Sequence, residues 1–342
     1  MKHFIFLLTA MLCFYILPAQ NTLLDVNSSQ IYRDALELLD KKKYAAAQRK
    51  FAEYHTEGAD TDKKIYAQYY QSVCALYLKQ ASAERMISDF ITEYPVHPAS
   101  KSANFDLGNY YFEEGDFKKA EQYLKESAVP RPITARDIEA TYKLAYSYYF
   151  QKKYTQARPL FDKTKVGLHK YVSLSSYYAG HLAYQNKNYD VALADFKRAS
   201  ESGQFKEEVE NITPVILYRL QQYDEVKSIV KDYQSNGRKM SPNLSLLAGE
   251  IAFQENDFAK AADYFETYVK SEKDAERGIY YRLGMSKLRT SQRDDAIKYL
   301  GKAADGNDAL AQVAAFHTGL AYISVKKEDF ADVAFDKVRK LN

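Results

Sequence analysis

Along most of this chain, apolar residues recur in one eight-residue pattern. An aromatic residue is followed by two variable positions, a small residue, three more variable positions and an apolar residue. The pattern reads YAAAQRKF at 44–51, FKKAEQYL at 117–124, YTQARPLF at 154–161 and YDVALADF at 189–196. It continues as YDEVKSIV at 223–230, FAKAADYF at 258–265 and, without the aromatic, RDDAIKYL at 293–300. The leading positions 117, 154, 189, 223, 258 and 293 lie 37, 35, 34, 35 and 35 residues apart, which predicts one supersecondary unit stacked many times. The 73 residues from 44 to 117 leave room for two units; the intermediate one is the degenerate YYQSVCALYLKQASAERMISDFITEYP, with Ala83, Ile87 and Pro95 in place. HTGLAYISVKKEDFADVAFDKV makes the ninth.

Each unit holds two helical patterns joined by a short polar turn such as EEGD, QKK, QNKN or QEND. Nine or more residues before the aromatic stands a glycine: Gly108, Gly180, Gly249, Gly284 and Gly319. An interior glycine costs a helix about 1 kcal/mol relative to alanine, so its recurrence at one position predicts a close approach between the paired helices. Ala47, Ala120, Ala157, Ala192, Ala261 and Ala296 are the small residues expected to face it, with the aromatic plugging the turn. The units are expected to begin near residues 28, 64, 101, 138, 173, 207, 242, 277 and 314. Together they form one repeat domain over 28–342, after a leader at 1–19 and a linker at 20–27. Pro214 should either begin a shortened helix or kink a longer one, which places the least regular stretch between about Glu201 and Pro214. Pro159 fits in the first turn or two of its helix.

These units resemble the tetratricopeptide repeat, a helix-turn-helix of 34 residues patterned W-x2-L-G-x2-Y, then A-x3-F, then P. LGNYY, AEQYL and Pro132 match within one unit, and AGHLAY with ALADF in another; the pattern's Trp is absent throughout. The resemblance covers about 300 residues and implies an all-α, right-handed superhelical solenoid of about nine repeats. It also implies that the first helices of successive units line a concave face. The lining positions carried over in this way are Phe105, Asn109 and Phe112, then Tyr142, Tyr146 and Tyr149. Tyr177, His181 and Tyr184 follow, then Leu246, Glu250 and Phe253, and last Tyr281 and Met285. Such a face, rich in tyrosine, offers large amphipathic area and hydroxyls suited to a peptide or a sugar. A basic clamp for a peptide carboxylate is not recognisable in it.

Composition narrows the classes further. The chain has 342 residues, 46% hydrophobic and 27% charged, with 31 Tyr, 18 Phe and no Trp, which is ample material for a core. A formal net charge of +3 with interspersed signs argues against a nucleic-acid or anionic-membrane surface, and KKK at 41–43 reads as a solvated turn. The opening MKHFIFLLTAMLCFYILPAQN has a basic start, an apolar stretch from Phe4 to Leu17 and a small residue at Ala19. It reads as a secretory signal peptide cleaved after Ala19, and is too short for a comfortable membrane span. Cys13 lies inside that apolar run without the small residues of a lipidation site. Cys74 is then the single cysteine of the exported protein, expected as a small core residue.

Catalytic chemistry is not indicated. The six histidines lack metal-ligand spacing, phosphate-binding glycine loops and GxSxG are absent, and GKAADG ends without the required lysine and hydroxyl residue. No cofactor or metal is expected. The reading is a noncatalytic protein-binding scaffold or adaptor in the envelope of a Gram-negative bacterium, located in the periplasm or at the outer-membrane periphery. It resembles exported repeat proteins that serve outer-membrane assembly, secretion or cell-wall coordination. Its expected partners are proteins or peptides, not nucleic acid, and the mature chain carries no membrane span. The ending FADVAFDKVRKLN follows an apolar second helix without a polar cap, which makes self-association through that helix a further expectation. Two other readings are a helical glycan-binding envelope protein, disfavoured by the missing lipidation site and Trp, and the sensor part of a signalling protein.

Overall fold

A computed structural model describes residues 28–128, 131–272 and 274–341, and all regular structure among them is helical. The leader, Cys13 and the linker lie outside the described residues. The chain divides into two compact units, ending and beginning at Ser175 and Ser176. In the first unit, α1 (28–40) pairs with α2 (Tyr44–Glu57), and α3 (Thr61–Tyr77) with α4 (Ala83–Glu93). There α5 (Pro98–Glu113) also pairs with α6 (Phe117–Ser127), and α7 (Ala135–Phe150) with α8 (Tyr154–Thr164). The second unit carries α9 (Val172–Gln185) from Ser176 onward, with α10 (Tyr189–Ser200), α11 (Lys206–Arg219) and α12 (Tyr223–Ser235). It continues with the hairpins α13 (Pro242–Gln254) and α14 (Phe258–Ser271), then α15 (Arg277–Arg289) and α16 (Arg293–Ala303), then α17 (Ala309–Ser324) and α18 (Glu328–Lys340).

The glycines explain how each hairpin closes, with one correction. A Cβ on Gly108 would lie 2.7 Å from Leu124 Cγ, and one on Gly249 would lie 2.7 Å from the Phe265 ring. Gly180 faces Phe196 in the same way, Gly284 faces Leu300 and Gly319 faces Phe335. The opposing residue is thus the large apolar one, one turn beyond the expected alanine. A hole must receive a knob: two small residues facing each other would leave a void, and close packing disfavours voids. The alanines Ala47, Ala120, Ala157, Ala192, Ala261 and Ala296 are nevertheless fully buried. The same register of sixteen residues aligns Ala35 with Phe51, Cys74 with Phe90, Ala145 with Phe161 and Pro214 with Val230. Cys74 therefore stands in for the glycine, fully buried, and burial pushes its thiol up to about 12, which keeps it protonated and unreactive.

Turn chemistry fixes the other end of each hairpin. Between α7 and α8, the Lys152 N–H donates to the Tyr149 carbonyl and the Lys153 N–H to the Tyr148 carbonyl, both at 2.9 Å. These two bonds define a Schellman cap, and the same pair recurs at every hairpin turn. Each cap needs one residue in the left-handed region: Lys42, Lys79, Gly115, Lys152, Lys187, Gln221, Asn256, Ser291 and Lys326, all with φ between 53° and 79°. Only Gly115 is suited to that conformation without a Cβ penalty. Replacing exposed Lys187 by glycine is therefore expected to stabilise the second unit by about 1 kcal/mol, read as a higher urea midpoint. A lower midpoint would contradict the strain.

Pro214 sits inside α11, which runs through it from Lys206 instead of starting at it. It removes the N–H that Glu210 would accept from, and it occupies the small-residue position opposite Val230. Accordingly α11 and α12 pack less extensively than most of the other hairpins. The preceding residues 201–205 form turns without helix. Pro159 lies in the second turn of α8.

Candidate interaction face

In the first unit, α5, α6 and α7 together carry a continuous aromatic cluster, half-buried except at Phe150. The Phe112 and Tyr146 ring centroids are 5.3 Å apart, Tyr146 stacks on Phe150 at 4.4 Å, and Phe117, the first residue of α6, closes the group at 5.6 Å from Tyr146 and 5.1 Å from Phe150. Phe150 remains 49% exposed, so the cluster reaches solvent at that ring. Beneath Phe112 lies the buried ammonium of Lys143, 5.0 Å from the ring centre and paired with Glu113 at 2.8 Å and Glu139 at 2.9 Å. It also donates to Asn109 Oδ1. Burial raises the Glu139 carboxyl, but the bonds from Lys143 outweigh that and hold it below its ordinary value, so the pair stays ionised.

A second polar group ties three successive first helices together. Tyr69 on α3 donates to Asp106 on α5 at 2.5 Å, and Arg136 on α7 donates to the other Asp106 oxygen at 3.1 Å. Arg136 also covers the Phe105 ring at 4.8 Å and donates to Ser102. Burial raises the Asp106 carboxyl above its ordinary range, against the pull of Arg136.

None of the fourteen sequence-derived lining positions is exposed. Phe105 and Tyr142 are buried, the first under Arg136 and the second stacked on Tyr171 at 4.6 Å, so both support the surface from below. Tyr149 is half-buried, with its ring 5.6 Å from Tyr154. In the second unit, Tyr177 stacks on Phe205 at 4.2 Å and meets His181 edge-on at 4.5 Å. Burial holds the His181 imidazole below its ordinary value. Tyr184 rests on Tyr189 at 5.6 Å, and Phe253 on Phe258 at 5.6 Å. Leu246 packs in the core cluster around Phe265, and Met285 is half-buried. Glu250 accepts from Arg282 at 2.8 Å, and Tyr281 meets His317 at 3.4 Å. Each first helix thus spends most of this register on its neighbour, because stacked hairpins share their apolar faces.

Two residues of the cluster, Phe150 and Lys143, escape pattern reading, and a third, Phe117, is legible only as the aromatic that plugs its turn. Phe150 ends α7 at the start of the α7–α8 turn and Phe117 follows the α5–α6 turn as the first residue of α6, neither on the expected face, and Lys143 is a cation at a buried position. The adjacent Phe112 and the acidic Glu113 and Glu139 are the signals that could have found Lys143. Among the described residues, no group of His, Cys, Asp and Glu is placed to hold a metal ion, and no helix is long and apolar enough to cross a membrane.

Two stretches of the first unit match family models described as tetratricopeptide repeat, over residues 102–128 and 139–165. They cover α5–α6 and α7–α8, the hairpins that carry the aromatic cluster. No curated protein matches the chain in sequence. Among solved structures, a tetratricopeptide repeat protein from Parabacteroides merdae is similar at 14% identity and a TM-score of 0.41, over 76% of this chain and 98% of that one. The C-terminal part of a TPR repeat-containing protein from Cytophaga hutchinsonii shows 18% identity and a TM-score of 0.40, over 74% and 86%. The pilF protein of Pseudomonas aeruginosa shows 12% identity and a TM-score of 0.40, over 79% and 98%.

Proposed function

We propose that this protein is a noncatalytic scaffold of the bacterial cell envelope that binds a protein or peptide partner on the aromatic side of its first helices. The observation that carries this reading is the Phe112–Phe117–Tyr146–Phe150 cluster. Aromatic rings anchored by their neighbours lose little side-chain entropy on binding, and the rigid hairpins beneath them are preorganised. Stacked helical repeats of this kind present extended surfaces to proteins. The leader-like opening of the sequence supports export to the periplasm or the outer-membrane periphery of a Gram-negative cell. Outer-membrane assembly, secretion and cell-wall coordination are the processes in which such a scaffold acts. Self-association belongs to the same reading through the last hairpin, where Val313, Phe316, Leu320 and Ile323 stand between 41% and 50% exposed along α17.

The test is photo-crosslinking in living cells, with the crosslinker at Phe150 and, as a control, at exposed Lys197 on α10. A discrete protein adduct formed from Phe150 and not from Lys197 is expected. A correctly folded and exported protein that yields no adduct from Phe150 would refute the protein-scaffold reading and favour a glycan ligand.

A further inference from the structure

The last three helices of the second unit form a groove that the proposed function does not use. Its volume is about 670 Å³. One wall is α16, through Lys298, Gly301 and Lys302, with Asp305 just beyond its end; the other is α18, through Phe330, Val333, Ala334 and Lys337. The α18 set steps by three, four and seven residues and the α16 set by three and four, so each wall is one helical face, about two turns or roughly 10 Å long on α18. Ala315, Thr318 and Tyr322 of α17 make the floor, and Tyr322 stacks on Phe330 at 5.4 Å.

Three observations distinguish this groove from an ordinary crease between helices. Phe330 and Val333 are 58% and 70% exposed, and the equivalent positions one and two hairpins earlier are the charged Asp295 and Lys298, then Lys260 and Asp263. Apolar side chains have therefore replaced solvated ones on this wall alone among the last three hairpins. Gly301 lies inside α16, yet a Cβ there would meet nothing within 4 Å. The other helical glycines of this half that sit at the hairpin register receive a knob, whereas Gly301 weakens its helix with no intramolecular contact to account for it. Its missing side chain leaves the wall open to a close-approaching backbone. Finally, Lys298 and Lys302 lie over the Tyr299 and Tyr280 rings at 5.1 and 4.9 Å, and among the described residues neither they nor Lys337 has a carboxylate at ion-pair distance.

We infer that this groove docks an acidic amphipathic segment of a partner protein, its apolar side chains on Phe330, Val333 and the α17 floor and its carboxylates on Lys298, Lys302 and Lys337. Charge complementarity names the partner's sign, and the exposed apolar wall names its other face. A lipid surface would also meet lysines and phenylalanine, but these lysines stand on two facing walls around a recess, which suits a segment lying between them.

The full chain is offered to a displayed library of random peptides about twelve residues long, enough for some 18 Å of helix. Enriched peptides are expected to combine Asp or Glu with apolar residues at helical spacing and to bind more weakly as salt rises. Their affinity is expected to fall at least about ten-fold in Gly301→Trp, and as much in the double variant Lys298→Glu, Lys302→Glu. Gly301→Trp fills the recess while keeping every lysine, and tryptophan suits a helix better than glycine, so circular dichroism should show the fold intact. The inference is overturned if enriched peptides lack acidic bias, if Gly301→Trp binds them as well as the parent, or if nothing is enriched over Gly301→Trp used as the bait. Binding of phosphatidylglycerol vesicles that survives Gly301→Trp and disappears on lysine reversal, without any peptide binder, would assign the surface to membrane instead.

Discussion

Phe265→Ala is expected to destabilise the second unit by about 3–5 kcal/mol, because its ring is fully buried and fills the hole that Gly249 leaves in α13. Gly249→Ala should also destabilise, by about 1–3 kcal/mol, although alanine favours the helix by about 1 kcal/mol. Its sign therefore reports the clash alone: the new Cβ would stand 2.7 Å from the Phe265 ring. The informative quantity is the double variant. With the ring gone, a Cβ at 249 meets no clash and partly fills the void, so the two changes together should cost clearly less than their sum. Urea unfolding of the four proteins measures this. Simple additivity would mean that the glycine has some other purpose. The naturally occurring pairs Ala35 with Phe51 and Ala145 with Phe161 show that other hairpins carry alanine at this register.

Arg136→Met should cost about 1–3 kcal/mol, mainly by leaving the Asp106 carboxylate buried without its cation. Half of the arginine side chain is exposed, which keeps the figure below that of a fully buried pair. Methionine keeps an apolar stem over Phe105, so the lost packing is small. The pH dependence identifies the cause. Asp106 already has its carboxyl raised by burial, and losing Arg136 raises it further. A raised carboxyl binds protons more readily in the folded than in the unfolded state, so stability is regained as pH falls through the folded value. The deficit of Arg136→Met relative to the parent should therefore shrink between about pH 8 and about pH 4. In the background Asp106→Asn the same substitution should show no such trend. A deficit constant across that range would mean that packing, not charge, is what Arg136 supplies.

Much of the architecture was legible from the spacing of FKKAEQYL and its relatives, because a hairpin of two amphipathic helices needs its small, large and turn residues at fixed separations. The recurrent glycine was legible as a close approach, but its partner was not. Alanine and the large residue one turn later lie on the same helical face, and a pattern of single letters cannot rank them. The left-handed turn residue was hidden for a related reason. Lysine fills it in five of nine turns, so the strain that would normally call for glycine leaves no mark in the sequence. Pro214 was legible as an irregularity, yet only the register opposite Val230 explains its place.

The candidate face was less legible than the fold. Periodicity selected positions such as Phe105, Tyr142 and Tyr177 because they share a helical stripe, and stacking turned most of that stripe into contacts between neighbouring hairpins. Phe150 reaches solvent because it ends α7 at the turn, while Phe117, at the start of α6, stays half-buried against Tyr146 and Phe150. The sequence by itself determined the number of hairpins, the recurrent glycine of their close approach and the absence of recognisable catalytic motifs, since these follow from local spacing. Tertiary structure alone decided which aromatic rings are buried, that Lys143 and Asp106 form buried charge groups with partners 30 or more residues away, and that Gly301, Lys298 and Phe330 border one groove. Exposure and charge neighbourhood are properties of helices packed side by side, and no separation along the chain encodes them directly.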